Sequence, residues 1–337
     1  MDVAALAGVS KSAVSKVFNN RDGISPATRE RILNAAEKLG WSPSAHAMAL
    51  RGERTRTVGL VIARGPDLLT ADPFFAETVA GLEQELGPAG YGLRLHLIAE
   101  DQTELAVYEQ LVRERRVDAF LLTDHRVGDA RHALLRRLGV PGLLIGRPWR
   151  GEPTECVHAQ GLEEAMGAAV SHLTDLGHRR LAYVAGPEDR VHSRLRRLQI
   201  ERTLADLDLR LRTVFDTELS GEGAARVTAE LMADPERRPT AILFANDAMA
   251  LTAIATAQRM GLRVPDDLSV IGHDDHPLGQ WLHPRLTTVT QDARQVSRAA
   301  AVRLLRLLGE PVENAPEPPT ARLVIRESTG PAPARPA

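Results

Sequence analysis

Short apolar segments alternate with longer segments of helical pattern from residue 57 onward, and this alternation is the strongest constraint on the fold. Apolar runs separated by helices are typical of parallel strands that are covered on both faces. The alternation starts again after Cys156, so it divides the predicted strands into two sets. The first set lies at residues 58–62, 93–98, 119–122 and 142–145, and the second lies at residues 181–184, 213–215, 240–244 and 268–271.

Two sets of strands and helices predict an α/β body of two doubly wound parallel-sheet lobes. A last strand at 286–290, a helix at 293–308 and a strand at 321–326 are expected to cross between the lobes. Ligands of open α/β sheets bind outside the carboxyl ends of the strands. We therefore expect the functional side chains in the loops that follow the strands.

The first twenty residues show a different pattern, in which two short helices are joined by a tight turn. Gly8 supplies the turn, and Ser10 is placed to cap the second helix. Val14, Val17 and Phe18 recur at helical spacing and are expected to face inward. The outward face of residues 10–19 carries short donors and cations that suit base edges and phosphates, namely Lys11, Ser12, Ser15, Lys16 and Asn19. This pattern predicts an all-α helix-turn-helix head, and an ordinary helical hairpin with a solvated face is the alternative.

A third helix is predicted to begin after Ser25, with Pro26 at its first position, and to end at Gly40. Residues 44–56 read as a linker that contains one helix too short to persist in water unaided. We expect that helix to form on DNA or on a second copy of the chain. Leu50 is a candidate wedge for a minor-groove base step, with packing on the body as the alternative.

Composition and charge exclude several classes of protein. No apolar stretch approaches the roughly 18 residues of a membrane span, and the N-terminus lacks the pattern of an export signal. Cys156 is the single cysteine, which excludes an internal disulfide and fits a reducing, cytoplasmic setting. Residues 1–56 carry a net charge of +4, from nine basic and five acidic residues, whereas the remainder carries −6. A basic head on an acidic body predicts that nucleic acid is bound by the head.

Side chains after the predicted strands are the candidate ligand contacts. Asp72, Phe74 and Phe75 follow the first strand, and the two rings suit stacking on a ring-shaped ligand, with core packing as the alternative. Three arginines open the helix after the strand at 181–184. Among them, Arg196 is the best placed to bind hydroxyls or a carboxylate.

Two further loops offer polar side chains. Asn246 suits sugar hydroxyls, whereas the neighbouring Asp247 is expected to cap the next helix. His273, Asp274, Asp275 and His276 are four potential metal ligands in a row. Adjacent residues rarely converge on one ion, so we expect no metal and favour the first of the two aspartates as an acceptor for a ligand. The sequence holds no dinucleotide, Walker, nucleophile-elbow or Cys-x-x-Cys motif, so it predicts neither an enzyme nor a cofactor.

Short motifs spread over nearly the whole chain occur in one order. They lie at residues 2–10, 14–17, 25–32, 39–43, 72–75, 172–173, 176–180, 185–187, 245–247, 267–272, 284–289 and 326–328. In this order they resemble the LacI/GalR family of bacterial transcription regulators. The resemblance implies a homodimer on a pseudo-palindromic operator and a body like that of a periplasmic sugar-binding protein. An effector, expected to be a sugar, is implied to bind between the lobes and to change DNA affinity through the hinge helices.

The resemblance also assigns candidate contacts residue by residue. Those implied for double-stranded DNA are Ser10, Lys11, Ser12, Ser15, Lys16, Asn19, Thr28, Ala47 and Leu50. Those implied for the effector are Asp72, Phe74, Phe75, Arg196, Asn246, His273 and Asp274.

Some positions depart from the family pattern. Members usually extend upstream of the position of Met1, so we expect the first helix to lack its cap and the true start to lie upstream. His273 stands where an aromatic residue is usual, and Gln199 stands where a glycine is usual. A histidine in the cleft is expected to make effector binding depend on pH between 5 and 8.

The sequence therefore predicts a helix-turn-helix domain at 1–43, a hinge helix and linker at 44–56, and a two-lobed effector-binding and dimerisation domain at 57–329. Lobe 1 is expected at about 57–158 plus 292–318, lobe 2 at about 159–288 plus 319–329, and a disordered Pro/Ala-rich tail at 330–337. The predicted function is a sequence-specific DNA-binding transcription regulator, a repressor controlled by a small effector. A sugar-binding transport protein on the same body is the alternative.

Overall fold

The structure is a computed structural model that describes residues 2–18, 22–41, 54–64, 73–98, 103–151, 154–215, 219–312 and 315–333. The chain divides into two compact units, a head of residues 1–56 and a body of residues 57–337. In these described ranges, no helix combines the length and the apolar character needed to span a membrane.

The head contains the three predicted helices around a small apolar core. They are α1 (Val3–Ala7), α2 (Lys11–Phe18) and α3 (Pro26–Lys38). Gly8 ends α1 in the left-handed conformation, with a φ of 63°, and so makes the predicted turn. Ser10 Oγ accepts a hydrogen bond from the Ala13 amide at 3.2 Å, as expected of a cap on α2. The core residues of the head are Val3, Ala4, Ala7, Val14, Val17, Ile32, Ala35 and Ala36.

The expectation that the first helix lacks a cap is wrong. Asp2 Oδ1 accepts a hydrogen bond from the Ala4 amide at 3.1 Å and serves as the N-cap of α1. An aspartate before a helix satisfies one of the first-turn amides that have no partner within the helix. Ser25 does the same for α3, where its Oγ accepts from the Thr28 amide at 3.3 Å.

Lobe 1 of the body is built on a parallel sheet with the strand order β2-β1-β3-β4-β5. Its strands are β1 (Thr57–Ile62), β2 (Gly92–Leu97), β3 (Ala119–Leu122), β4 (Gly142–Ile145) and β5 (Cys156–Val157), and its helices are α4 (Pro73–Leu86), α5 (Glu104–Arg113) and α6 (Ala130–Leu138). Leu60 and Ile62 belong to the core on one face of the sheet, and Val61 belongs to the core on the other. Burial on both faces explains why β1 is apolar throughout. The two-residue β5 was not predicted, because so short a strand leaves no pattern.

Lobe 2 is built on a sheet with the order β11-β10-β9-β8-β6-β7, in which only the β10–β11 pair is antiparallel among the described strands. Its strands are β6 (Leu181–Ala185), β7 (Leu211–Phe215), β8 (Ala241–Phe244), β9 (Ser269–His273), β10 (Thr287–Thr290) and β11 (Arg322–Val324), and its helices are α7 (Leu162–Asp175), α8 (Val191–Ala205), α9 (Gly221–Met232), α10 (Asp247–Arg259) and a short 3₁₀ helix (Pro277–Gln280). The predicted architecture of two doubly wound lobes is confirmed.

The last helix, α11 (Ala293–Leu307), follows β10 of lobe 2 but packs on α4 of lobe 1. Arg294 and Arg298 of α11 bind Glu77 and Glu85 of α4. Gly81 allows the close approach, since a Cβ there would lie 2.3 Å from the carbonyl oxygen of Arg294. The crossing predicted for this helix is thus observed.

The expected disorder of the tail is wrong for residues 330–333. The Gly330 carbonyl accepts from His178 Nε2 at 3.0 Å, its amide donates to Ser269 Oγ at 3.1 Å, and the Ala332 amide donates to Leu176 O at 2.8 Å. These contacts with residues distant in the sequence hold the segment on lobe 2. Residues 334–337 lie outside the described part of the chain.

Candidate functional site

The strand order reverses direction between β1 and β3 in lobe 1, and between β6 and β8 in lobe 2. Connections leave the two strands of such a pair toward opposite faces of the sheet, which opens a crevice at their carboxyl ends. Loops after all four strands line one cleft between the lobes, of about 1120 Å³ including the space open to solvent. The sequence rule that ligands sit at strand ends therefore leads to this cleft.

The lobe 1 wall of the cleft carries a bidentate ion pair that was not predicted from the sequence. Arg64, after β1, donates to both carboxylate oxygens of Asp124, after β3, at 2.7 and 2.6 Å. From lobe 2, Arg190 Nε lies 3.3 Å from Asp124 and His192 Nδ1 lies 4.0 Å from it. Burial alone would raise the pKa of Asp124, but the hydrogen bonds and charge of Arg64, with His192 and Arg190, hold that pKa well below its usual range. The ionised carboxylate thus ties the two lobes together.

The lobe 2 wall carries the arginine and aspartate predicted from the sequence. Arg196 Nη1 donates to the carbonyl of Ala245 at 2.9 Å, while Nη2 lies 3.9 Å from Asp274 Oδ1. Asp274 adopts a φ of 95° after β9 and accepts from Gln291 Nε2 at 2.9 Å. Arg196 is buried, and its Nε makes no hydrogen bond within the described residues. This loosely joined pair presents both a donor and an acceptor to the cleft.

Asn246 lines the cleft and also caps α10, since its Oδ1 accepts from the Met249 amide at 2.9 Å. The expectation that Asp247 is the cap is therefore wrong. Asp247 is the buried first residue of the helix, and it accepts from Thr288 Oγ1 at 2.7 Å and from the His276 amide at 2.5 Å. Burial raises the pKa of Asp247 well above its usual range, although these two hydrogen bonds oppose the shift.

Phe74 and Phe75 lie in the first turn of α4 and give the cleft part of its apolar lining. Their rings meet edge to face, with centroids 5.5 Å apart. Phe75 is buried in the lobe 1 core, and Phe74 is partly buried against that core. Cleft lining and core packing, which the sequence left as alternatives, are thus combined in the same pair of rings.

The run of four potential metal ligands after β9 does not converge on one point. His273 is 1% exposed and its Nε2 lies 3.7 Å from Asp274, whereas Asp275 pairs with Arg326 at 2.6 Å and His276 Nδ1 accepts from the Leu278 amide. Burial, followed by the charges of Arg196 and His192, holds the pKa of His273 well below its usual range. This direction favours the neutral form of His273 at pH 7, so it does not support the expected pH dependence of effector binding through this residue, which stays a prediction.

The two loops that approach each other across the cleft form a contact we call the lobe bridge, made by residues 125–127 and 189–191. The Val127 amide donates to the carbonyl of Asp189, and the Val191 amide donates to the carbonyl of His125, both at 2.9 Å. Arg126 pairs with Glu104 and lies 3.9 Å from the carboxylate of Asp189. Backbone hydrogen bonds thus join the lobes beside the site.

In the head, the faces of α2 divide as predicted. Val14 and Val17 are buried, and the candidate DNA contacts lie on the opposite side, where Ser10, Lys11, Ser12 and Lys16 are exposed and Ser15 is half-buried. Thr28, in the first turn of α3, bonds through its hydroxyl to Ser25 Oγ at 2.9 Å. The other candidates, Asn19, Ala47, Leu50 and Asp72, lie outside the described residues.

Comparison with known proteins gives this arrangement a family. Residues 1–44 match the bacterial regulatory proteins of the lacI family, and residues 170–329 match a periplasmic binding protein-like domain. The HTH-type transcriptional repressor PurR of Aliivibrio fischeri is 33% identical over 307 residues, which cover 90% of each chain. The chain belongs to the lacI family of bacterial regulatory proteins. It is a DNA-binding transcription regulator, and the resemblance found in the sequence is confirmed.

Other lacI-family proteins match along nearly the full length. The regulator CelR of Thermobifida fusca is 34% identical over 338 residues, covering 97% of this chain and 96% of CelR. Among solved structures, a CelR–cellobiose complex superposes with a TM-score of 0.71 at 30% identity, covering 97% of this chain and 98% of that one. The lac repressor dimer bound to operator and the anti-inducer ONPF gives 0.80 at 27% identity, covering 98% of each chain. These relatives are transcription regulators, so membership of the lacI family does not favour the transport alternative.

Proposed function

We propose that this lacI-family regulator is a repressor whose affinity for operator DNA is set by a sugar bound in the cleft between the lobes. One observation carries the proposal. The strand-order reversals of both lobes open onto the same cleft, so a ligand there touches both lobes at once. A small molecule that contacts two lobes can shift their relative arrangement only through a difference in affinity between the arrangements.

The chemistry of the cleft supports a sugar. Arg196 supplies donors, Asp274 supplies an acceptor, and Asn246 lies beside them, which suits a ring of hydroxyl groups. Phe74 offers an apolar surface for the C–H face of a sugar ring. The structure of the relative CelR with cellobiose supports the same class of ligand.

A thermal-shift screen of the full chain against neutral sugars and nucleosides tests the ligand class. We expect a sugar to raise the unfolding temperature. Asp274→Asn should weaken binding of that sugar by about tenfold or more, because a sugar hydroxyl loses a charged hydrogen-bond acceptor. The matched control is Asp266→Asn, since Asp266 is 59% exposed and its partner Arg263 is 71% exposed. Stabilisation by nucleosides but not by sugars would assign the cleft to the other class.

Selection from a pool of random duplexes at two salt concentrations tests DNA recognition. We expect a palindrome, bound more weakly at high salt because binding releases counterions. Lys16→Gln is expected to weaken binding and to lower the salt slope by about one. Arg226→Gln, at a 65% exposed position on the body, is the control that leaves both unchanged. Adding the identified sugar then measures the coupling between cleft and operator.

We also propose that the regulator is a homodimer. Large apolar side chains are exposed after β9, where Leu278, Trp281 and Leu282 are 52%, 78% and 47% exposed. Such apolar patches on a folded body mark interaction surfaces. Sedimentation equilibrium is expected to show a dimer that Trp281→Lys converts to monomer, while Leu207→Lys, at a site 48% exposed in the described chain, leaves it intact.

A further inference from the structure

The loop of lobe 1 that follows β4 carries Trp149 toward the second lobe. Gly146 and Arg147, at the start of this loop, line the cleft. The backbone turns at Gly146, Arg150 and Gly151, which adopt φ values of 135°, 41° and 78°. Trp149 lies between these turns and is half-buried. None of these residues belongs to the effector contacts predicted from the sequence.

The Trp149 ring contacts a guanidinium group from lobe 2. Arg194, the fourth residue of α8, places its Cζ 5.3 Å from the ring centroid. Arg150, next to the tryptophan in the chain, places its Cζ 4.9 Å from the same centroid. A guanidinium within about 6 Å of an indole centroid is attracted by the negative potential of the ring face, and tryptophan attracts cations more strongly than the other aromatic side chains. The contact between Trp149 and Arg194 therefore joins the two lobes, and we call it the rim contact.

The rim contact lies at the edge of the cleft. Leu195, the residue after Arg194, lines the cleft, and so does Arg147, two residues before Trp149. Arg147 also pairs with Glu163 in the first turn of α7. One loop of lobe 1 thus contacts two helices of lobe 2, at residues adjacent to the cleft lining.

The rim contact is more exposed than the ion pair that joins the lobes through Asp124. The side chain of Arg194 is 31% exposed, whereas those of Arg190 and Asp124 are 10% and 13% exposed. Contacts of partly exposed charged groups are screened by solvent and break at little cost. Arg194 Nη2 also lies 3.8 Å from the carboxylate of Glu188 in its own lobe, so the guanidinium keeps a charged partner when it leaves the ring. These features suit a contact that breaks and forms reversibly.

We propose that the rim contact gates the cleft, so that it must break before a ligand enters or leaves. The identity of that ligand rests on the proposed function, whereas opening is a property of the chain alone. A guanidinium that moves from the ring to Glu188 releases the loop of residues 146–151 from α8. The second contact of the loop is also weak, since the side chains of Arg147 and Glu163 are 34% and 45% exposed. Ligand exchange then requires side-chain rearrangement at the rim, while the buried contacts of Asp124 remain in place.

The rate at which a thiol inside the cleft reacts measures how often the cleft opens. Val191 lines the cleft and is 1% exposed, and cysteine is close to valine in volume. Because Cys156 is the single cysteine, Val191→Cys in a Cys156→Ser background supplies one thiol per chain. Ellman's reagent is the probe, added to the full chain without ligand. We expect Trp149→Leu and Arg194→Gln each to raise the labelling rate by about fivefold, as loss of one cation–π contact predicts.

Further variants separate the rim contact from a general loosening of the fold. Arg194→Lys keeps a cation beside the ring and should retain most of the slow labelling. Arg202→Gln, at an exposed position of the same helix, should leave the rate unchanged. The double variant Trp149→Leu/Arg194→Gln should label no faster than the faster single variant, since both substitutions remove the same contact. Urea denaturation of every variant measures global stability alongside.

Labelling at the same rate in Arg194→Gln and Arg202→Gln would overturn the gate, and so would effects that multiply in the double variant. Faster labelling that follows a lowered midpoint of urea denaturation would assign the effect to global unfolding and would also count against the gate. Because the labelling uses no ligand, a screen that finds no sugar leaves these measurements standing. Equally, failure of the gate leaves the proposed sugar site unaffected.

Discussion

Both walls of the cleft carry an arginine–aspartate pair, and the two pairs are built differently. In lobe 1, Arg64 donates hydrogen bonds to both carboxylate oxygens of Asp124, at 2.6 and 2.7 Å. In lobe 2, Arg196 lies 3.9 Å from Asp274, whose carboxylate accepts a hydrogen bond from the side-chain amide of Gln291 instead. In a bidentate pair, the guanidinium donors and the carboxylate oxygens are used by each other, so few of them are left for a ligand. We infer that the lobe 1 pair stabilises the body, whereas the lobe 2 pair contacts the ligand.

The largest expected effect is on stability, from Asp124→Asn. The substitution leaves the buried guanidiniums of Arg64 and Arg190 facing a neutral amide, so we expect the free energy of unfolding to fall by about 3 to 5 kcal/mol. Urea denaturation followed by circular dichroism measures the change. Asp266→Asn, at an exposed pair, should stay within about 0.5 kcal/mol. Equal small losses in both variants would remove the distinction between the walls.

A matched pair of substitutions separates stability from ligand affinity. Arg196→Lys should reduce the binding free energy of the effector by about 1.5 to 3 kcal/mol, since a charged hydrogen bond to the ligand is lost. Arg64→Lys should instead lower stability and leave effector affinity nearly unchanged. Calorimetric titration of both variants measures their effector affinity, and urea denaturation measures their free energy of unfolding. The comparison fails if Arg64→Lys costs more affinity than Arg196→Lys.

The pH dependence of stability should also differ between the lobes. His178 and His273 of lobe 2 are buried, and burial lowers the pKa of each. As pH falls below the unfolded value of about 6.5, the unfolded chain takes up protons that the folded chain does not, so stability falls. The loss is at most about 1.4 kcal/mol per pH unit for each histidine, and it should be larger for His273, whose pKa is lowered further. Asp124 has a lowered pKa, so its contribution is kept until the solution is more acidic than its ordinary pKa near 3.9.

Unfolding measured at pH 7, 6 and 5 checks this expectation. His273→Gln should flatten the profile, and His283→Gln, at an exposed site, should leave it unchanged. A profile that is flat in the wild type would show that the buried histidines do not remain neutral.

The smallest effect is expected at the lobe bridge. The side chains of Arg126 and Asp189 are 31% and 59% exposed and 3.9 Å apart, so Asp189→Asn should cost less than about 1 kcal/mol of stability. The two backbone hydrogen bonds remain, and effector affinity should change by no more than a few-fold. A large loss of effector affinity in Asp189→Asn would show that effector binding depends on the lobe bridge rather than on the Arg–Asp pairs.

Much of the body was predictable because strands covered on both faces leave uninterrupted apolar runs, as in β1. Arg64 and Asp124 left no such trace, since each is a single polar residue after a strand and belongs to no motif. Only the adjacency of β1 and β3 in the sheet joins them. The strand-order rule would have pointed to the loops after these two strands.

Finer assignments failed where neighbouring residues offer the same chemistry. Asn246 and Asp247 are both good helix caps, and the choice depends on a one-residue difference in where α10 begins. Composition suggested a loose tail, but Gly330 is held by the buried His178, a partner 152 residues away that no local pattern reveals. Among the candidate effector contacts on the lobe 2 wall, Asn246 and Asp274 follow strands almost directly, so the strand-end rule reaches them, whereas Arg196 lies in the second turn of α8.

The close approach of α11 to α4 bears on the order in which the protein can be made. Gly81 is placed against a helix that begins at Ala293, after nearly all of lobe 2 has been encoded. As the chain leaves the ribosome, the apolar face of α4 must wait for that late helix. Lobe 1, although it starts first, is completed only after most of lobe 2 has been synthesised.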